Sequence, residues 1–454
     1  MRKWMRRAMI ILLWGLVWQI AAVCIDNSIL LVGPLQVVHV LLQNIIQPDF
    51  LKIVLGSFAR IGMGFFAAFL VGLLLGAAAC RFLFVQELFE PVIQMLKSIP
   101  VASFVVLLLI WFGSAGLSFF ISFLIVFPNM YVNTIAGLKS ADTKLLEMAR
   151  VFGMGKWNRF FYIYRPALMP YLNSCLKISL GMSWKSGVAA EVIGLPSYSL
   201  GERLYMSKIH LDTAGLFAWT LTIVLLSVLF EKAVLWLAAA YGEWKPYPRL
   251  TSAGQSSRQC DMPIKLSHIS VSFGTQQVLQ DYNLTMETGQ RYLLMAPSGA
   301  GKTTILRILA GLGRADSGMA AGIPARIGMV FQEDRLCEAY DAVSNIMLGM
   351  SGQRVKREQI VQMVEREAAQ ILPKDCLHKP VKELSGGMRR RVVLLRAVLS
   401  SSELLLLDEP FSGLDEENRV RSADYLLSHL NGRTLLVTTH REEDVKLLGG
   451  MNIF

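Results

Sequence analysis

Six apolar runs in the first half of the chain constrain its fold most. A run of about 17–25 apolar residues can cross a bilayer as a helix. The chain is 53% hydrophobic and only 17% charged, whereas a soluble globular chain carries about 25% charged residues. We therefore predict an N-terminal all-α polytopic membrane domain with about six transmembrane helices, the third short and the fifth polar. The runs lie near Met9–Ile25, Gly56–Ala79, Val101–Phe112, Leu117–Leu138, Leu172–Ile193 and Ala214–Ala240.

Basic residues predict the orientation of these spans. Four of the first seven residues are Lys or Arg, and the stretch from Lys139 to Arg165 holds six basic residues against two acidic ones. Basic loops remain in the cytoplasm, so the N-terminus and this stretch should be cytoplasmic. The first run lacks a small-residue cleavage site and should be an uncleaved span. Basic cytoplasmic loops explain the net charge of +11. Because the sequence contains no module that reads bases, we expect no nucleic-acid partner.

The composition changes sharply after residue 245. We predict a membrane domain over 1–245, a Pro- and Ser-containing linker over 246–262, and an α/β domain over 263–454. Short apolar runs at Leu293–Met295 and Leu404–Leu407 are typical of buried parallel strands. The six cysteines are scattered, without a C-x-x-C pair, which argues against a disulfide framework or a zinc site.

A phosphate-binding loop follows the first of these strands. Its backbone N–H groups and the helix that it opens would cradle phosphates. Lys302 should reach the β- and γ-phosphates and Thr303 should bind Mg²⁺, unless the run is only a Gly-rich turn before an ordinary helix. The usual pattern begins with Gly, and Ala296 is conformationally less free. The loop consists of Ala296, Pro297, Ser298, Gly299, Ala300, Gly301, Lys302, Thr303 and Thr304.

Two further motifs agree with a nucleotide hydrolase. The strand Leu404–Leu407 ends at Asp408 and Glu409, where an Asp holds Mg²⁺ and a Glu activates or orients water. A Ser-Gly-Gly sequence opens a predicted helix and would offer N–H groups and a hydroxyl to a γ-phosphate. That sequence is Ser385, Gly386 and Gly387.

This set of motifs resembles the ATPase of the ABC transporter superfamily over Ile264–His440. The resemblance implies ATP and Mg²⁺ as cofactors and a P-loop α/β fold. It also implies that Gln332 contacts Mg²⁺ and senses the membrane domain, that Asp415 belongs to the D-loop, and that His440 contacts the γ-phosphate. Phe273 takes the place of the adenine-stacking aromatic, although a core Phe is the alternative.

The cytoplasmic stretch carries a motif of its own. Glu147, Ala149 and Gly153 resemble the E-A-A-x-x-x-G loop of ABC importer permeases, with Met148 in place of one Ala. In that family the loop is a short coupling helix that docks on the ATPase; an ordinary amphipathic helix is the alternative. Over most of Leu51–Leu237 the chain is similar to type I importers of the nitrate/sulfonate/taurine group.

The resemblance implies an ATP-driven importer of a small solute, with permease and ATPase in one chain. The expected partners are a second copy of the chain, a periplasmic or lipid-anchored solute-binding protein, and membrane lipid. The expected location is the bacterial cytoplasmic (inner) membrane, with the N-terminus and the ATPase in the cytoplasm. An ABC exporter and a membrane-tethered ABC ATPase without transport remain alternatives.

The sequence leaves the solute open. Lys177, Lys185 and Glu191 fall in the fifth predicted span. Ionisable groups at membrane depth are candidates for function, so the two lysines could attract an anion. Snorkelling or a local ion pair is the other interpretation.

Overall fold

The computed structural model describes residues 2–250, 262–274, 276–297, 299–350 and 357–453. Its helices are α1 Arg2–Ile25, α2 Pro34–Ile46, α3 Phe50–Arg81, α4 Leu83–Ser98, α5 Val101–Lys139, α6 Thr143–Val151, α7 Lys156–Arg159, α8 Arg165–Gly194, α9 Leu200–Ile209, α10 Thr213–Glu243, α11 Lys302–Leu309, α12 Ala342–Met347, α13 Arg357–Ala368, α14 Gly386–Val398, α15 Glu416–Ser428 and α16 Glu442–Leu448. Its strands are β1 Ile264–Phe273, β2 Gln276–Met286, β3 Arg291–Met295, β4 Ser317–Ala321, β5 Ile327–Val330, β6 Leu404–Asp408, β7 Thr434–Thr439 and β8 Met451–Asn452. A π-helical turn covers Phe160–Tyr164, and 3₁₀ turns cover Lys374–Cys376 and Val381–Glu383.

The chain divides into two compact units that are not contiguous in sequence. The helical unit comprises Met1–Ser140 and Leu168–Trp244, and the α/β unit comprises Ala141–Ala167 and Lys245–Phe454. The segment Ala141–Ala167, called here the inserted segment, therefore belongs to the α/β unit although it lies between helices of the other unit in sequence.

Small residues bring α3 and α5 together within the helical unit. A Cβ added at Gly64 would lie 2.3 Å from the carbonyl oxygen of Phe119, and one at Gly72 would lie 2.6 Å from Cβ of Met130. Ala68, between these glycines, is fully buried. Small residues at four-residue spacing let helix backbones approach closely, which is how membrane helices pack without a hydrophobic driving force.

Four helices in the described residues are long and apolar enough to cross a membrane. The first, second and sixth predicted spans each lie in one of them, whereas the third and fourth predicted spans share a single helix. The fifth predicted span lies in α8, which carries Lys177, Lys185 and Glu191 and is not among the four. The four apolar helices are Ala8–Ile25, Phe50–Arg81, Ser103–Lys139 and Thr213–Glu243.

A bend at Gly113 separates the third and fourth predicted spans. Gly113 has φ 69° and ψ −177°, which is not helical. The rings of Phe112 and Phe120 stack with centroids 3.9 Å apart, whereas eight residues of straight helix rise about 12 Å. The helix therefore folds back at Gly113, and Val105 and Leu117 join one buried cluster.

Two sheets form the α/β unit. One is antiparallel with the order β2-β1-β4, and the other has the order β5-β6-β7-β3-β8 with parallel pairs. Leu404–Leu407 is fully buried, so the prediction of buried parallel strands at β3 and β6 is confirmed. Both strands end at the same edge of the sheet, and the phosphate-loop sequence and Glu409 follow them there.

The inserted segment packs as part of the α/β core. Asp142 caps α6 by accepting a hydrogen bond from the N–H of Lys144 at 2.8 Å. Gly153, with φ 60°, ends this helix, and the N–H of Met154 donates to the carbonyl of Ala149 at 2.9 Å. Met148 and Ala149 are fully buried in the same cluster as the strand residues.

Residues that follow α10 also contact the inserted segment. The hydroxyl of Tyr162 donates to the carbonyl of Pro246 at 2.7 Å. The side-chain amide of Asn158 donates to the carbonyl of Arg249 at 2.8 Å and accepts from its N–H at 2.9 Å. The beginning of the predicted linker is thus held against this segment, while its residues 251–261 lie outside the described residues.

Candidate functional site

A cleft of about 600 Å³ lies at the carboxyl edge of the parallel sheet. Most of the residues that the sequence motifs singled out for nucleotide binding meet in this cleft, although they come from segments far apart in sequence. Its lining residues are Phe273, Gln276, Val278, Gly299, Gly301, Lys302, Thr303, Thr304, Gln332, Asp408, Glu409 and His440.

The glycines of the phosphate loop are required by its backbone. Gly299 and Gly301 both have φ 88°, a left-handed conformation that glycine adopts without steric cost. A Cβ at Gly301 would also lie 2.7 Å from Cδ2 of Leu279. Ser298, which the sequence places in this loop, lies outside the described residues.

The lysine of the loop folds over its own turn. The amine of Lys302 donates to the carbonyl of Ala296 and to that of Pro297, the latter at 3.0 Å. Ala296 is not among the residues with positive φ, so Ala in place of Gly at this position requires no unusual backbone. The N–H of Ala300 donates to the carbonyl of Pro297 at 3.3 Å, which closes the turn.

Oxygen atoms suited to Mg²⁺ lie in or beside the cleft. The hydroxyl of Thr303 donates to Oδ2 of Asp408 at 2.9 Å, and the hydroxyl of Thr438 donates to Oδ1 at 2.6 Å. Gln332 lines the same cleft. Mg²⁺ prefers carboxylate, hydroxyl and amide oxygens, so this set fits the ion. Thr438 was not predicted.

Glu409 and His440 both line the cleft and contact each other. Nδ1 of His440 lies 3.1 Å from Oε1 of Glu409. Glu409 has φ 47°, and its N–H donates to the carbonyl of Thr438 at 3.0 Å. A carboxylate that lines a cleft and is hydrogen-bonded to an imidazole is able to orient or deprotonate a water molecule.

Residues of β1 and β2 form a further part of the lining of the cleft. Phe273, at the end of β1, is 63% exposed, so it is not a core residue, and a flat exposed ring can stack on a base. Gln276 and Val278 line the cleft beside it and were not predicted. They are two residues apart on β2 and so share one face of the strand, which is the signal that could have identified them.

Several predicted site residues are not among those that line the cleft: the Ser-Gly-Gly residues, Asp415, and Ala296, Pro297 and Ala300 of the loop. Ser385 caps α14, and its hydroxyl accepts from the N–H of Met388 at 3.3 Å, with Gly386 and Gly387 in the first turn. Asp415 precedes α15, and its carboxylate accepts from the amide of Asn418 at 2.7 Å. That hydrogen bond lowers the pKa of Asp415.

The inserted segment is joined to the walls of the cleft through Glu147. Its carboxylate accepts two hydrogen bonds from Arg307 of α11, at 2.7 and 3.1 Å, and one from Arg335 at 2.7 Å. Hydrogen bonds from Arg307 and then Arg335 lower the pKa of Glu147 to about 2. Arg307 lies on the helix that Lys302 begins, and Arg335 follows Gln332 by three residues, so one carboxylate contacts two elements of the cleft.

More contacts surround this ion-pair cluster. Lys144 pairs with Glu333 at 2.6 Å, with both side chains more than half exposed. Arg396 of α14 is fully buried, lies 5.2 Å from the ring of Phe152, and donates to the carbonyl of Arg335 at 2.7 Å. Burial lowers the pKa of Arg396 to about 10.

The arginines of this cluster were missed by sequence reasoning. Arg335 stands inside a motif that was noted for Gln332, and Arg307 follows the phosphate loop by only three positions. The acidic residue of the coupling motif, Glu147, was the available signal in the sequence. An acid that docks on another domain needs a cationic partner.

Two family profiles match the chain. The profile described as ABC transporter matches residues 279–412. The profile described as binding-protein-dependent transport system inner membrane component matches residues 68–241. One profile therefore falls within the range of the cleft residues and the other mostly on the helical unit.

Curated relatives match 37–41% of the chain. An aliphatic sulfonates import ATP-binding protein of Mycobacterium avium is 36% identical over 192 residues, which are 41% of this chain and 75% of the relative. The corresponding protein of Corynebacterium glutamicum is 40% identical over 174 residues, 37% of this chain and 70% of the relative. A spermidine/putrescine import ATP-binding protein of Haemophilus influenzae is 33% identical over 193 residues, 40% of this chain and 52% of the relative.

Proposed function

Because this chain belongs to the ABC transporter family and joins an importer-type permease to its ATPase, we propose that it imports a small solute as a homodimer. The observation that carries this proposal is the contact of Glu147 with Arg307 and Arg335. It joins the inserted segment, which lies in sequence between α5 and α8, to the helix and loop that border the nucleotide cleft. A membrane-tethered ATPase without transport would not need this connection.

Each group of cleft residues would have a separate role in ATP hydrolysis. The phosphate loop and Lys302 would bind the phosphates, and Phe273 would stack on the adenine. Mg²⁺ held by Thr303, Asp408 and Gln332 would neutralise phosphate charge. Glu409 would accept the proton of the attacking water, with His440 fixing the orientation of its carboxylate through the 3.1 Å contact.

A second copy would complete the site. Ser385, Gly386 and Gly387 carry N–H groups at the start of α14 but are absent from the residues that line the cleft of the same chain. Such a helix start favours a negatively charged phosphate. One chain supplies one permease and one ATPase, so two copies would place each α14 start, together with Asp415, against the nucleotide of the other.

The location follows from the charge of the loops. The inserted segment and the N-terminus are basic, and both would lie in the cytoplasm with the ATPase. We place the protein in the bacterial cytoplasmic membrane, surrounded by lipid, with a periplasmic or lipid-anchored solute-binding protein delivering the solute. The match to a binding-protein-dependent permease profile supports that partner.

The proposed solute is an anion. The relatives are ATP-binding proteins named for sulfonates and for polyamines, which carry opposite charges, so their names do not select the charge of the solute. In the helical unit Glu191 is fully buried and paired with Arg60 at 3.1 Å. Lys177 and Lys185 are exposed on α8, and within the described part of the chain neither has a hydrogen bond or ion pair. Unpaired lysines at membrane depth either snorkel toward the interface or face water or a ligand, and we propose the latter for this pair.

The direction of transport can be tested with membrane vesicles of both orientations. Right-side-out vesicles containing ATP should accumulate labelled ethanesulfonate from outside when osmotic-shock fluid supplies binding proteins, and Glu409→Gln vesicles should not. Accumulation only in inverted vesicles given external ATP would show an exporter. ATPase activity without accumulation of ethanesulfonate, nitrate or spermidine in either orientation would support the tethered ATPase.

The charge of the solute can be tested in the same vesicles. Lys177→Gln with Lys185→Gln should raise the KM for the anion while ATPase activity in detergent stays unchanged. Lys208→Gln, on another helix of the unit, is the matched control and should leave the KM unaltered. Uptake of spermidine instead of ethanesulfonate, or an unchanged KM in the double variant, would exclude an anion pathway at these lysines.

A further inference from the structure

A single buried guanidinium holds the backbone around Glu409. Arg390 lies on α14 and is 3% exposed. Its Nη2 donates to the carbonyls of Asp408 and Glu409, both at 2.6 Å, and its Nε donates to the carbonyl of Pro410 at 3.2 Å. Three consecutive carbonyls at the end of β6 are thus fixed by one side chain.

The same guanidinium holds the segment that contains Gln332. Its Nη1 donates to the carbonyls of Phe331 and Gln332 at 2.7 and 3.3 Å, and to the carboxylate of Asp334 at 3.1 Å. This segment continues to Arg335, which binds Glu147 of the inserted segment. Arg390 is therefore a direct connection between the end of β6 and the segment that contacts the inserted segment.

The conformation of Glu409 explains why such a connection is needed. Its φ of 47° is left-handed, which non-glycine residues adopt only where the surroundings hold them. In that conformation its carboxylate reaches His440. Hydrogen bonds to the carbonyls on both sides of its Cα stabilise this geometry.

We propose that Arg390 is a positioning residue for ATP hydrolysis, which keeps the carboxylate of Glu409 aligned and ties that alignment to the position of the Gln332 segment. The proposal rests on the proposed function because it takes Glu409 as the catalytic base. Movement of the inserted segment would then reach Glu409 through Arg335, Phe331–Asp334 and Arg390, a path of contacts that lies within the α/β unit.

Arginine is suited to this role and its usual replacements are not. Arg has five N–H donors in a planar fork, whereas Lys has a single amine and Gln only one NH₂ group. Lys at position 390 could bind one set of carbonyls but not bridge both. Gln at that position is too short and has too few donors for either set.

The experiment compares Arg390→Lys and Arg390→Gln with Arg389→Gln in the purified full chain. Arg389 is the neighbouring residue of α14, and its pair with Glu338 at 3.3 Å is partly exposed. We expect Arg390→Gln to lower kcat by at least about tenfold with the KM for ATP within about twofold of wild type, and Arg390→Lys to be intermediate. Arg389→Gln should match wild type in both.

Melting temperature and ATP affinity separate positioning from folding. A fall in kcat with wild-type ATP affinity in a folded variant supports the proposal. An unchanged kcat, or losses of kcat, ATP affinity and melting temperature in parallel, would overturn it. If Arg390→Gln does not fold, Arg390→Lys measured below its melting temperature decides by the same criteria.

Glu409→Gln is measured in the same series to keep the two hypotheses apart. Full activity of Glu409→Gln would remove the catalytic role on which the proposal rests. An inactive Glu409→Gln beside a fully active Arg390→Gln would leave the proposed function intact and eliminate only the positioning role.

Discussion

At the residue scale, the cleft depends on a few side chains whose geometry the backbone imposes. Asp408 is buried and accepts one hydrogen bond on each carboxylate oxygen, from Thr303 and from Thr438, so the orientation of its carboxylate is fixed. Glu409 is the next residue, yet its left-handed backbone turns it toward His440 and the cleft. Under the proposed function these adjacent acids would have separate roles, Asp408 as a metal ligand and Glu409 as a base.

Replacing Glu409 with Gln should abolish turnover while ATP still binds. Gln keeps the size and the hydrogen-bonding capacity toward His440 but cannot accept a proton from water. We expect steady-state ATPase activity to fall by at least about a hundredfold, with the Kd for ATP within about threefold of wild type. The exposed Glu416→Gln is the control, and wild-type turnover of Glu409→Gln would refute the role.

Replacing Gly301 with Ala should weaken ATP binding. Its φ of 88° is unfavourable for Ala, and the added Cβ would lie 2.7 Å from Leu279. We expect the Kd for ATP, measured by equilibrium binding, to rise at least about tenfold, since the loop N–H groups lose their alignment. Gly313→Ala is the matched control, because there the nearest atom is 3.7 Å away; equal affinity of both variants would contradict the argument.

At the element scale, α6 packs as part of the core of the α/β unit. Met148 and Ala149 face inward and are fully buried, whereas Glu147 faces the arginines. The apolar face packs in the core of the α/β unit, and Glu147 binds two elements that border the cleft. Gly153, with φ 60°, ends the helix.

Removing the charge of Glu147 should uncouple transport from hydrolysis. Glu147→Gln loses the charge-assisted hydrogen bonds to Arg307 and Arg335, so we expect vesicle uptake to fall about tenfold while basal ATPase activity changes less than about threefold. Lys144→Met breaks only the exposed pair with Glu333, and such pairs contribute little, so its uptake should stay near wild type. Equal losses in uptake and ATPase activity in Glu147→Gln would argue against a coupling role.

The pKa of Glu147 sets the pH range of this contact. Its folded value of about 2 lies below the ordinary 4.5, so the contact contributes its full stabilisation above the unfolded pKa and loses it as the pH falls from about 4.5 toward 2. At neutral pH the group remains ionised. Glu147→Gln and wild type should therefore show basal ATPase profiles of the same shape between about pH 6 and 8, and a titration step present only in wild type would contradict this assignment.

At the scale of the whole molecule, the division into units cuts across the sequence. The inserted segment leaves the helical unit, packs in the α/β unit and returns. Each chain presents one cleft and one α14 start that lies outside that cleft. This separation is the reason for expecting two copies in the working transporter.

Complementation between two inactive chains can test the shared sites. Lys302→Ala disables the phosphate loop and Ser385→Arg blocks the α14 start. Each variant alone should be inactive, whereas co-expressed differently tagged chains, purified through both tags, should regain up to about half of the activity. In that heterodimer one cleft has an intact loop and faces an intact α14 start. No recovered activity in a stable heterodimer would contradict sharing.

Local sequence determined much of this protein. Apolar length identified the four helices that are long enough to cross a membrane, although it divided one of them into two spans and added the fifth span in α8. Short apolar runs before the phosphate loop and before Asp408 identified β3 and β6. The phosphate-loop residues, Asp408 and Glu409 were found because nucleotide chemistry requires these residue types at the ends of strands and the start of a helix. Gln332 and His440 were implied by the resemblance to the ABC family. Such motifs are contiguous, so the chain itself displays them.

Contacts between distant segments were decided only by the tertiary structure. Arg390 and Glu409 are nineteen residues apart, and Glu147 and Arg335 are 188 apart, so no spacing in the sequence pairs them. The bend at Gly113 could not be predicted either, because an apolar run indicates burial in lipid but not the direction of the helix axis. An arginine in a basic run has the same local pattern whether it is solvated or buried, and only the packing of α14 against β6 and the Gln332 segment selects Arg390 over Arg389.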